Sequence, residues 1–196
     1  MNKIWLFLCP FLCFWQLSVS AQEPNLVERD KLIDQALSFY YNGKPAYARP
    51  VVEHLKRRFP GDAFFHELMA EIIWLELDQK AAPQKHLSEE VDITLVKRNI
   101  YLVEQFKEEI YAGLVLTQRD LDINPNDSRA IFLRGMLKGR YGGFVAKFEG
   151  GLRSYAEADR ETAEGLRLVK KTIELDPSLC SAKYLIKFNN LFLPNS

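Results

Sequence analysis

Beyond its first 21 residues the chain has a single cysteine, Cys180. One thiol cannot close an internal disulfide, so a packed core must hold the protein together, with Cys180 acting as a small hydrophobe. A surplus of charge of one sign is also missing: Lys plus Arg number 26 and Asp plus Glu number 26. Nucleic-acid binders carry extra Lys and Arg to neutralise phosphates, and the balance argues against that class. No run alternates apolar and polar residues between turn signals for long enough to form a strand. What is present is a globular composition, 47% hydrophobic and 27% charged, enough to build a core within one domain of 196 residues.

The N-terminus differs in kind. Lys3 precedes an apolar run, Ile4 to Trp15, broken only by Pro10, and Ser18 to Ala21 supply small residues before Gln22. The run is shorter than the roughly 20 residues of a spanning helix, and the pattern is that of a cleaved secretory signal. The expectation is a signal peptide over residues 1–21 and one domain over 22–196, exported to the periplasm or secreted, with no stable membrane span after cleavage. Cys9 and Cys13 lack the small residues that precede a lipoprotein cysteine, so no lipid anchor is expected.

After Pro24, apolar residues recur almost everywhere at steps of three and four. Leu26, Ile33, Ala36, Leu37 and Tyr40 form the first run, which Gly43 breaks. Pro45 opens the next, since a first-turn residue needs no amide donor, and Val51, Val52 and Leu55 carry its face to Pro60. A third helix is expected from Asp62, its N-cap, to about Leu77, then a loop from Asp78 to Ser88. From Ser88 to Leu121 the spacing predicts one long helix, or two joined near Gly113. Another is expected from Asp127 to Tyr141, stopping at Gly142 and Gly143. The stretch "GGFVAKFEGGL" then interrupts, before helices over about Tyr155 to Leu175 and Ser178 to Phe192.

Three prolines share their surroundings. Twelve residues before Pro60, Pro125 and Pro177 stand Ala48, Gly113 and Gly165, and ten after the first two stand Ala70 and Gly135. Paired antiparallel helices approach to about 8–10 Å only where small residues sit at the crossing. A proline after the second helix stops it and sets the angle to the next hairpin. This resembles the tetratricopeptide repeat, a helix-turn-helix of about 34 residues. Arg29 to Asp62 match best, with Ala36 and Ala48 at the small positions, Phe39 at the aromatic one, Gly43 in the turn and Pro60 at the end; Leu32 stands where the family has tryptophan. "TIELDPSLCSA", Thr172 to Ala182, resembles a junction between repeats, and the chain is similar to bacterial exported repeat proteins in which "ELDP" leads into an aromatic-rich helix. The prolines are 65 and 52 residues apart; the first spacing fits two repeats with the central proline lost, and the second implies an insertion, best placed at Gly142 to Leu152. The resemblance implies an all-α fold: antiparallel helix hairpins stacked as a short right-handed α-solenoid, about three hairpins and a final helix.

Chemical motifs are sparse. His66-Glu67 begins like a zinc-protease helix, but Ala70 stands where the second histidine belongs, and His54 and His86 show no ligand spacing. Lys147 in the glycine-rich "GRYGGFVAKFEGG" is followed by Phe148 and Glu149, which is not a phosphate loop. Either that stretch is a loop presenting Tyr141, Phe144 and Phe148 to a ligand, or these aromatics fold back into the core. Phe188 and Phe192 lie on an apolar C-terminal surface that would suit self-association or docking. The expected function is a non-enzymatic scaffold, without cofactor or metal, that binds a protein or peptide partner in the bacterial envelope. The alternatives are an assembly subunit docking through its C-terminal helix, and a small-molecule binder using the Tyr141–Phe148 loop.

Overall fold

The computed structural model describes residues 26–81, 98–149 and 152–179. The expected signal peptide, the start of the long helix at Ser88 and the final helix with Phe188 and Phe192 lie outside the described residues. Within them all regular structure is helical: α1 (Leu26–Tyr41), α2 (Pro45–Arg58), α3 (Ala63–Ala81), α4 (Ile100–Ile123), α5 (Ser128–Phe148) and α6 (Leu152–Leu175). Each helix packs on the next, and α3 also packs on α5.

The turn between α1 and α2 follows from its residues. Gly43 adopts φ +66°, where a side chain would be strained. That conformation lets Lys44 N–H reach the Phe39 carbonyl and Gly43 N–H reach that of Tyr40, each at 2.9 Å, which satisfies the carbonyls at the end of α1. Pro45 then occupies the first turn of α2, where its missing donor costs nothing. Pro50, however, lies inside the same helix.

The three proline turns have one hydrogen-bond pattern. The residue before each proline donates its N–H to the carbonyl four residues earlier: Phe59 to Leu55, Asn124 to Asp120, and Asp176 to Thr172. Its own carbonyl accepts from Asp62, Asp127 and Leu179, respectively. Asp127 caps α5 by accepting from Ala130 N–H at 2.9 Å. Asp62 accepts from Phe64 N–H and pairs with Arg129 at the start of α5.

The small residues sit where expected. Ala36, Ala48 and Ala70 are fully buried, and Gly113, Gly135 and Gly165 are buried too. A Cβ on Gly113 would stand 2.8 Å from Leu137 Cδ1, so α4 is continuous at this point and glycine serves contact with α5. The core centres on α3, buried on almost every side through Phe65, Met69, Ile72, Ile73 and Leu77. Burying each such side chain contributes about 1.5–3 kcal/mol.

Two helix limits differ from the sequence reading. Asp78 to Ala81 belong to α3 and not to a loop, because Asp78 pairs with Lys147 and Gln79 donates to the Gly43 carbonyl. Gly142 and Gly143 do not end α5, which continues to Phe148. A Cβ on Gly142 would lie 2.7 Å from the Ala158 carbonyl and 2.8 Å from Thr162 N, and one on Gly143 would touch the Trp74 indole. These glycines let α5 press against its neighbours. The expected insertion is therefore mostly extra helix, giving 21 residues in α5 and 24 in α6, against 14 in α2.

Candidate functional site

Helices α1, α3 and α5 are linked by a strip of polar and aromatic side chains. Tyr40, near the end of α1, donates its hydroxyl to Glu71 Oε2 on α3 at 2.9 Å. Glu71 also pairs with Arg140 of α5, which reaches Glu67 one turn away on α3 at 3.5 Å. Both carboxylates are buried, so a single guanidinium serves two acids away from water. Burial holds the Glu67 carboxyl above the ordinary carboxylate range, against the pull of Arg140. Farther along, Lys147 of α5 pairs with Asp78 of α3 and lies 5.5 Å from the Trp74 ring centre.

Beside the strip is a cavity of about 260 Å³ between α5 and α6, closed at one side by Trp74. Met136, Leu166 and Val169 make its wall apolar, with Arg140 and Thr162 as polar members. A Cβ on Gly139, in the same wall, would meet nothing within 4 Å.

A second ionic group joins α2, α3 and α4 near His66. Glu109 accepts from Lys56 Nζ at 2.5 Å and lies 2.7 Å from His66 Nδ1. Burial works to raise the Glu109 carboxyl, but the hydrogen bonds from His66 and Lys56 outweigh it and hold the group below its usual range. His54 is exposed and apart from this group. Among the described residues, no cluster of three or more His, Cys, Asp or Glu could hold a metal ion, and no helix is long and apolar enough to cross a membrane.

The loop reading of Tyr141, Phe144 and Phe148 is corrected: all three lie on α5. Phe144 stacks on Phe106 at 4.2 Å and is fully buried, and Phe148 is buried against Trp74. Tyr141 is half-buried and donates to Glu157 on α6 at 3.1 Å. Burial, then Tyr111 and Glu157, push its hydroxyl pKa far up, so it remains a donor. The stretch on which the small-molecule alternative was placed is therefore helix and not loop. Phe188 and Phe192 lie outside the described residues.

Sequence reasoning missed Tyr40, Glu67, Glu71, Trp74 and Arg140. One signal was there: Glu67 and Glu71 are one turn apart in the run Ala63 to Leu75, where His66 is the one other polar residue, so both are buried and must find a partner. No family model, curated protein or solved structure matches the chain.

Proposed function

We propose that the protein is an exported, non-enzymatic scaffold of tetratricopeptide-like hairpins that binds a protein or peptide partner along the strip formed by α1, α3 and α5. In this reading the hairpins continue as a short right-handed solenoid, and the strip is its concave face. The observation that supports it is the side-by-side packing of α3 and α5, with Tyr40, Glu71 and Arg140 linked across three helices. The buried Glu67–Arg140–Glu71 group holds α3 and α5 in register, and the partly exposed Asp78 and Lys147 beside the Trp74 indole suit recognition of polar and apolar side chains on one extended surface. Export is supported by Lys3, the Ile4–Trp15 run and the small residues before Gln22.

The test is paired capture from an envelope extract. The bait is the wild type, an Asp78→Asn/Lys147→Gln variant of the strip, or a Tyr111→Ala/Val115→Ala variant of α4. A partner retained by the wild type and the α4 variant but lost by the strip variant supports the reading. Equal retention by all three contradicts it. Mass spectrometry of the native protein should find its N-terminus at or close to Gln22; a species that keeps Trp5 and Trp15 would contradict export by cleavage.

A further inference from the structure

The cavity between α5 and α6 keeps an opening that helix packing does not require. Of the glycines in α5, Gly135, Gly142 and Gly143 stand where a Cβ would crowd α6 or Trp74. Gly139 differs, because a Cβ there would meet nothing within 4 Å. Glycine inside a helix costs about 1 kcal/mol against alanine. At position 139 no neighbour requires it, and the bare backbone leaves the cavity open. The polar part of the wall is only partly engaged. Arg140 meets Glu67 and Glu71 through one nitrogen, Nη2. Its Nε is buried and has no acceptor among the described residues. Two carboxylates already balance the guanidinium, so Arg140 offers N–H donors without surplus positive charge. An uncharged carbonyl gains from such a donor, whereas an anion meets the two acids as well.

We propose that this cavity is the anchor pocket of the strip: it takes one large apolar side chain of an uncharged peptide segment, whose neighbouring backbone carbonyl accepts from Arg140. The assignment rests on the strip being a peptide-binding face, and Trp74 and Arg140 belong to both strip and cavity. Size agrees with such an occupant. An apolar cavity of about 150 Å³ holds benzene, so about 260 Å³ has room for a ring or branched chain with an amide beside it. The wall of Met136, Leu166 and Val169 matches the apolar part, and Arg140 matches the carbonyl. Interfaces concentrate their affinity in buried anchors of this kind.

The test is titration of N-acetyl-phenylalaninamide into the full chain, followed by NMR of isotope-labelled methionine methyls. Met136 stands in the cavity wall and Met69 in the core, so the first signal should move and the second stay. A ligand of this size should half-saturate the Met136 shift at about 1 mM. Gly139→Leu fills the cavity and should abolish the shift with helical circular dichroism retained. Arg140→Lys keeps a charge between the two acids but loses the planar fork, and should weaken the probe about tenfold. N-acetyl-glycinamide, which lacks the ring, should leave Met136 unmoved. N-acetyl-phenylalanine, with a carboxylate in place of the amide, should bind no better than the amide. A Met136 signal that stays put at about ten times the expected Kd overturns the proposal. So does a shift that survives Gly139→Leu, equal affinity in Arg140→Lys, an equal shift with the glycinamide, or tighter binding of the carboxylate, which assigns the pocket to an anion. Failure to capture any partner counts against the strip alone, because the probe reads the pocket without a partner.

Discussion

Gly135 and Gly165 face each other across α5 and α6 so closely that a Cβ on Gly165 would stand 2.7 Å from the Gly135 carbonyl oxygen. Backbone cannot swing aside as a flexible side chain does. Gly165→Ala should therefore cost about 1–3 kcal/mol by overpacking, although alanine is the better helix former. Gly139→Ala, on the same hairpin with open space at its Cβ, should instead gain up to about 1 kcal/mol. Urea midpoints measured side by side check the opposite signs.

Glu67 sets a pH dependence of defined direction. Its folded pKa lies above the unfolded value. The stability it contributes is therefore complete below the unfolded value and is lost as pH rises through the folded one. Glu67→Gln should remove that loss, so the variant gains on the wild type between acid and neutral pH. Glu109 has the opposite shift, and its contribution is present above the unfolded value and lost as pH falls through the folded one. Glu109→Gln should flatten the acid side and be least stable, relative to wild type, at neutral pH. Denaturant midpoints across pH for both variants decide this.

Pro50 is exposed and interrupts the hydrogen-bond ladder inside α2. Interior proline is about 3 kcal/mol worse than alanine in a helix. Pro50→Ala should raise the urea midpoint, with that figure as an upper bound because the present helix has adapted to the ring. An unchanged or lower midpoint would show that proline is needed at this site.

The turns and the small residues were legible in the sequence because each has a local cause. Gly43 breaks α1 through its own dihedral, and Pro60, Pro125 and Pro177 stop the helices before them. Gly142 and Gly143 misled because a glycine required by a neighbouring helix looks the same in sequence as one that ends a helix. Their partners, Ala158 and Thr162 on α6 and Trp74 on α3, are supplied only by the tertiary fold. The strip was hidden for the same reason. Arg140 is 73 residues from Glu67, and nothing local marks them as partners.

Site-specific photo-crosslinking in the envelope of cells that express the protein tests partner binding along the strip most directly. A photoreactive residue at position 147, on the strip, is compared with one at position 115, which is exposed on α4. Binding along α1, α3 and α5 predicts a discrete adduct from 147 that is absent or much weaker from 115. A discrete adduct from 115 with none from 147 would contradict it.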